Sequence, residues 1–168
     1  MQIKSSLTTK SGQVLATEYN EGVDPTQNLD GKILQGVHAF CFYKDKLVIV
    51  YAGKKGTWGP PGGGIEKGET YEEAVTREVM EESNMKVLHQ ELIGFIDAYE
   101  PDKTIRQTRS FCIVEPYGDF EADTDIEGDI TETKLIDPKD YIQYFDWGEV
   151  GDRIMERAVE MLKKFNEK

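Results

Sequence analysis

Three glutamates, Glu78, Glu81 and Glu82, stand at i, i+3 and i+4 in a segment that otherwise reads as an amphipathic helix. At about 100° per residue they fall within an arc of roughly 100° on one side of that helix. Val75 and Val79 border the arc, so three like charges crowd the apolar stripe that should face a core. Such charges repel one another on an isolated helix, and the cost rises near an apolar interior. A divalent cation is the simplest remedy. Mg²⁺ takes hard oxygen ligands and keeps several waters, which suits a site of few carboxylates and a phosphate substrate. It can also polarise a phosphoryl oxygen and lower the pKa of a bound water. Just upstream, Gly62, Gly63 and Gly64 let the backbone approach a ligand closely, and a turn there can aim a carbonyl at the metal. Glu69 and Arg77 lie across the junction between this loop and the helix. A pair between them would brace the loop, and Arg77 could also hold Glu78 in its ligating rotamer.

The segment from Gly63 to Met85 resembles the Nudix box, G-x5-E-x7-R-E-U-x-E-E-x-G-U with U aliphatic. Its fixed positions are occupied here by Gly63, Glu69, Arg77, Glu78, Val79, Glu81, Glu82, Asn84 and Met85. Asn84 alone departs, standing where the family has glycine. That glycine is a left-handed helix stop, and asparagine is the next-best residue for the conformation. The resemblance implies a Nudix fold and hydrolysis, with Mg²⁺ or Mn²⁺, of a pyrophosphate bond in a nucleoside diphosphate linked to another group X. It places Glu78, Glu81 and Glu82 as metal ligands or base, Glu78 and Glu82 most firmly. It adds the Gly62 carbonyl as a further ligand, and gives Glu69 and Arg77 supporting roles. Several members use one more acidic residue well downstream. The run from Glu115 to Glu132 has eight acidic residues and no basic one. It offers Glu121, Asp123, Asp125, Glu127 and Asp129, of which Glu127, just before a strand, is preferred.

These residues need elements to hold them. Thr70 to Asn84 reads as a helix, with Thr70 as N-cap and Glu73 three residues on, a capping-box pattern. Ile33–Tyr43 and Lys46–Tyr51 read as strands of a hairpin turning at Lys44 and Asp45. Between them and the helix, Ala52–Gly64 is rich in glycine and holds Pro60 and Pro61, so a loop is expected. Further strands are expected over Val87–Tyr99, with a bulge at Gly94, over Ile105–Val114 and over Ile130–Leu135. A short helix should open at Asp137-Pro138, and a longer one should run over Val150–Phe165. Strands, helix, strands, helix, without regular βαβ alternation, predict an α+β domain: a mixed sheet with helices packed on its faces. Residues 1–30 read as an N-terminal extension of the same domain, with short strands near Ser5–Thr9 and Gln13–Thr17. The catalytic domain proper is expected over 31–168, and the extension could mediate a homodimer.

A formal net charge of −12 argues against tight binding to a nucleic-acid backbone. A small polyphosphate could still bind where divalent cations bridge it to carboxylates. No apolar run approaches the roughly 20 residues that span a bilayer, and Met1 to Lys10 lack the centre of a signal peptide, so a cytoplasmic, non-membrane protein is expected. Cys41 and Cys112 sit in apolar strand-like runs without metal-ligand spacing and read as reduced core thiols. His38 and His89 are isolated. The resemblance implies a nucleotide-type small molecule as substrate. One reading is a (deoxy)nucleoside triphosphate, which the compact chain favours. Another is ADP-ribose or a nucleotide sugar, since ADP-ribose hydrolases of this family tend to carry a proline near the distance at which Pro101 follows Met85. A third is an idle Nudix-fold binding module, against which the intact glutamates argue. Tyr99 could stack on a base, Arg106 and Arg109 could bind phosphate, and Trp58 is expected to pack.

Overall fold

A computed structural model describes residues 1–120, 125 and 128–168. The strands are β1 (Gln2–Thr8), β2 (Val14–Glu21), β3 (Ile33–Tyr43), β4 (Lys46–Ala52), β5 (Thr57–Gly59), β6 (Gly62–Gly64), β7 (Met85–Tyr99), β8 (Thr104–Pro116) and β9 (Ile130–Ile136); the helices are α1 (Tyr71–Ser83) and α2 (Gly148–Asn166). Among the described residues they form one mixed sheet in the order β1-β2-β7-β8-β3-β4-β5, with β6 on β3 and β9 on β4. The β3–β8 pair is parallel, whereas the other ladders are antiparallel. The N-terminal hairpin joins the sheet through β2 on β7, with Tyr19 opposite Ile96.

Alternation along β3 decides which helix covers which face. Val37, Ala39 and Cys41 pack with Ala74, Val75 and Val79 of α1. Phe40 and Phe42 pack with Ile154, Ala158 and Leu162 of α2. The sheet is thus a layer between two helices, each laying its apolar stripe on one side. Cys41 and Cys112 are free, buried thiols facing one another across the β3–β8 register. Burial comes first among the causes that push the Cys41 thiol up.

Most expected elements appear within a few residues of their predicted ends. Ala52–Gly64 differs from expectation, since it is not all loop: Thr57–Gly59 pairs with β4 and Gly62–Gly64 pairs with β3. The ladder between β7 and β8 shifts register between Leu92 and Gly94, at the expected bulge, and again between Val87 and His89. The short helix expected at Asp137-Pro138 is a 3-10 helix, Pro138–Gln143, with Asp137 as its N-cap. No helix of the described residues is long and apolar enough to cross a membrane.

Candidate active site

Helix α1 starts and stops where its sequence dictates. Thr70 Oγ1 accepts from the Glu73 amide at 3.1 Å, and the Glu73 carboxylate accepts from the Thr70 amide at 3.4 Å, which closes the capping box. The helix ends at Asn84, left-handed at φ 54° and ψ 39°, with its amide donated to the Met80 carbonyl. The Asn84 side chain also donates to the Asp119 carbonyl at 2.9 Å, a bond that the family's glycine cannot make.

Between these caps the inward stripe carries carboxylates as well as apolar groups. Glu78 is only 7% exposed, and its carboxylate lies over Gly63. A Cβ on Gly63 would stand 2.6 Å from Glu78 Cδ, and one on Gly62 would run into the Val37 carbonyl and His38. Here the glycines are required by close approach. Glu82 Oε1 accepts the Gly62 amide at 2.8 Å. The short strand β6 is therefore held on one side by β3 and on the other by helix carboxylates.

Arg77 ties the same parts together. It grips Glu69 with two bonds, Nε at 2.8 Å and Nη2 at 2.9 Å, and Nη2 also donates to the Gly64 carbonyl at 2.8 Å. Nη1 reaches Glu78 Oε1 at 2.8 Å and Glu81 Oε2 at 3.4 Å. The expected Glu69–Arg77 brace and the Arg77–Glu78 contact are both present. Arg77 holds the Glu69 carboxyl below its ordinary range.

Glu78 and Glu82 border the glycine loop and Glu81 meets Arg77, but the three do not form a closed cage: among the described residues no three His, Cys, Asp or Glu side chains stand ready around one point. Glu82 is strongly perturbed by its surroundings. Burial pushes its carboxyl up to about 8; the Gly62 amide opposes the shift, and the charges of Glu78, Asp125 and Asp129 add to it. Burial and neighbouring acids favour the protonated form of this carboxyl, and a bound cation would favour the ionised one. A hard, oxygen-only donor set fits Mg²⁺ or Mn²⁺, and such ions are commonly held by one or two carboxylates with waters and substrate phosphates.

Of the downstream candidates, Glu127, Glu121 and Asp123 lie outside the described residues. Asp125 is buried and accepts the Ile130 amide at 2.7 Å. Asp129 accepts the Lys54 amide at 3.3 Å and lines a cavity of about 500 Å³ together with Gly62 and Glu82.

That cavity contains residues the sequence did not single out as a group. Its walls include Lys55, Trp58, Tyr144 and Trp147. Trp58 does pack, with ring centroids 5.1 Å from Tyr51 and 5.9 Å from Tyr144, yet it also lines the cavity. His38 meets Trp147 edge-on at 5.1 Å, and burial first, then Arg109 and Lys55, keeps it neutral by drawing its pKa well below the ordinary value. These residues come from five separate stretches of chain, and only the sheet order brings them together. Tyr99 and Pro101 lie at the turn between β7 and β8 and line neither this cavity nor the one beside α2 described below. Arg106 is not available to phosphate: it is bound by Asp97 at 2.8 and 3.0 Å and by the carbonyls of Pro25 and Gln27.

A fold of this topology, with a capped helix presenting R-E-x-x-E-E against a glycine strand, defines a class. The NUDIX domain family model matches residues 34–158, and the chain belongs to the Nudix family. It is 30% identical over 103 residues to an uncharacterized Nudix hydrolase from Nostoc sp., a match covering 60% of this chain and 57% of that protein's length. Among solved structures, a single-site mutant of the Bacillus subtilis pyrophosphohydrolase BsRppH superposes with a TM-score of 0.73 at 18% identity, covering 94% of this chain and 97% of that one. A NUDIX hydrolase from Nitrosomonas europaea gives 0.61 at 20% identity, covering 77% and 90%. These likenesses are to the fold.

Proposed function

We propose that this chain is a Mg²⁺- or Mn²⁺-dependent pyrophosphohydrolase acting on a nucleoside diphosphate linked to X. The observation that carries the reading is Glu82, a half-buried carboxyl among other carboxylates that accepts a bond from the glycine strand and opens onto the aromatic-lined cavity. Glu78, Glu81 and Glu82 are the residues that would hold the ion. The Gly62 carbonyl would add a ligand, because an extended residue sends its N–H and C=O to the same edge and the Gly62 amide already faces Glu82. The bound ion would supply positive charge against the phosphoryl oxygens. Arg77 and Glu69 position Glu78 and the loop. Lys55 is placed to meet phosphate charge, and Trp58, Tyr144 and Trp147 offer faces and edges for a base while excluding water.

A (deoxy)nucleoside triphosphate remains the preferred substrate. Pro101, the residue that spoke for ADP-ribose, lines neither cavity, and nor does Tyr99, which supports the triphosphate reading. A phosphate-release screen over nucleoside triphosphates, nucleotide sugars and dinucleoside polyphosphates with Mg²⁺ tests the reading. Turnover of at least one substrate that disappears with EDTA is expected, and no hydrolysis of any of them would sink it. For the downstream acid we propose Asp129 alongside Glu127. In a paired assay of Asp129→Asn and Glu127→Gln, the true participant should lose activity at least tenfold and the other should stay near wild type.

A further inference from the structure

A second cavity, also about 500 Å³, lies between the N-terminal hairpin, β8 and the start of α2. It shares Asp146 and Trp147 with the cavity that opens onto Glu82. Arg109 lines it and is only 5% exposed. Its guanidinium has little to satisfy it. Nη1 donates to the neighbouring Thr108 carbonyl at 3.0 Å, Nη2 is 3.5 Å from Gln107 Oε1, and Nε has no acceptor among the described residues. The Trp147 ring lies 5.3 Å from Cζ. Burial lowers the Arg109 pKa only to about 10, so the group is charged at neutral pH. A buried cation without a counter-charge is costly.

The second observation comes from α2. Gly148, Val150 and Gly151 of its first turn line the same cavity. The N-cap is Trp147, which makes no side-chain capping bond. Asp146 accepts the Gly148 amide at 2.9 Å, leaving the next amides of a 19-residue helix directed along its axis. A helix N-terminus favours an anion through these amides and its dipole. A buried guanidinium and an incompletely capped helix start thus line one chamber.

We propose that this chamber is an anion subsite, separate from the carboxylate centre, which takes a phosphate or carboxylate group between Arg109 and the first turn of α2. The neutral hydroxyls of Ser6 and Thr17 line it as additional donors. Asp146 stands at its border with its carboxylate turned to Gly148, and makes no ion pair with Arg109 among the described residues. The anion could be the charged end of group X of a substrate whose diphosphate lies at Glu82, or a free oxyanion binding beside the substrate.

The probe is inorganic phosphate, titrated calorimetrically into the whole protein in EDTA. Without divalent cations the carboxylate centre repels phosphate, so the result does not depend on the proposed catalysis. Saturable binding by wild type is expected, weakened at least tenfold in Arg109→Gln. The exposed-strand variant Ser6→Glu, which brings a carboxylate to the chamber without touching the core, should weaken it likewise and carries the test if Arg109→Gln does not fold. Equal phosphate affinity in wild type and folded Arg109→Gln would overturn the proposal, as would the absence of saturable binding by wild type. With Mg²⁺ and a verified substrate, phosphate that raises KM alone identifies the chamber with group X. Phosphate that binds without competing identifies a free oxyanion.

Discussion

Around Arg77, one guanidinium faces four carboxylates, those of Glu66, Glu69, Glu78 and Glu81. Around Arg106, one guanidinium and the Lys32 ammonium face a single aspartate, Asp97. Each arginine grips one carboxylate with two bonds, so the pairs look alike in isolation. Their surroundings separate them. Arg106 is completed by backbone carbonyls from 25 to 28 and lies 3.8 Å from the Phe95 ring centroid, a closed clamp fastening the loop after β2 to the sheet. Four carboxylates share the one Arg77 guanidinium, and beside them the charges of Glu78, Asp125 and Asp129 help to raise the Glu82 carboxyl. The first arrangement holds the fold together; the second gathers carboxylates around one guanidinium, and on the proposed function it would take a cation. Burial or ion pairing alone would not have told them apart.

The largest expected effect is on turnover. Glu78→Gln and Glu82→Gln each remove one charge from the proposed metal centre while keeping side-chain size. Because each 1.36 kcal/mol of transition-state stabilisation is about tenfold in rate, losses of several kcal/mol mean orders of magnitude in kcat. Arg77→Ala should cost less, since it positions Glu78 and the loop without touching substrate. Wild-type rates in both glutamine variants, measured on a verified substrate, would remove the distinction between the two regions.

Arg106→Gln should act on stability instead. It leaves Asp97, which is 1% exposed, with Lys32 as its one ion-pair partner among the described residues; breaking a buried pair costs about 3–5 kcal/mol, and with Lys32 still in place the lower end of that range is expected. Urea unfolding should show that loss, and Asp97→Asn in the same chain should recover part of it. A destabilisation no larger than that of an exposed arginine would mean the clamp is not closed.

Much of the first region was legible in sequence because its logic is local. The spacing of Glu78, Glu81 and Glu82, the capping box at Thr70 and the left-handed stop at Asn84 all lie within one helix. The strand character of Gly62–Gly64 was hidden, since three glycines carry no side-chain alternation and their pairing partner, β3, is more than twenty residues away. The cavity was hidden for a similar reason. Lys55, His38, Asp129 and Trp147 meet only because β3, β4 and the segments flanking β9 and α2 are neighbours in the sheet and its covering layer. Arg106 and Arg109 look equivalent as a sequence, three residues apart on one strand. Period-two alternation places them on opposite faces, but the availability of Asp97 to one and not the other is a tertiary fact.

The pH dependence of the metal-free protein sharpens the comparison further. Glu82 has a folded pKa of about 8 against an ordinary 4.5. A carboxyl raised in this way contributes stability that is fully present below its unfolded value and is lost as pH rises through the folded value. His38 acts oppositely. Its depressed pKa means stability is lost as pH falls below its ordinary 6.5. Between pH 6.5 and 8 the Glu82 contribution should therefore stand clear. In EDTA the melting temperature should fall across that interval, Glu82→Gln should flatten the fall, and Mg²⁺ should raise the wild-type value more than the variant's. An identical pH profile in wild type and Glu82→Gln would place the excess charge elsewhere.

The smallest effect concerns the end of α1, which fixes where Glu81 and Glu82 point. Asn84 holds a left-handed conformation, one that costs an alanine roughly 1–2 kcal/mol. Glycine, the family's residue, adopts it freely but gives up the bond from Asn84 to the Asp119 carbonyl. A typical hydrogen bond is worth about 1 kcal/mol net, and this one is exposed, so Asn84→Gly should change stability by less than that. Asn84→Ala, which loses both the bond and the conformation, should cost more. Thermal unfolding orders the three proteins as wild type, glycine, alanine. The kcat of Asn84→Gly should remain near wild type, because the backbone geometry that aims Glu82 at Gly62 is retained. A glycine variant as impaired in turnover as Glu82→Gln would show that the Asn84–Asp119 link takes part in positioning the carboxylates and does more than close the helix.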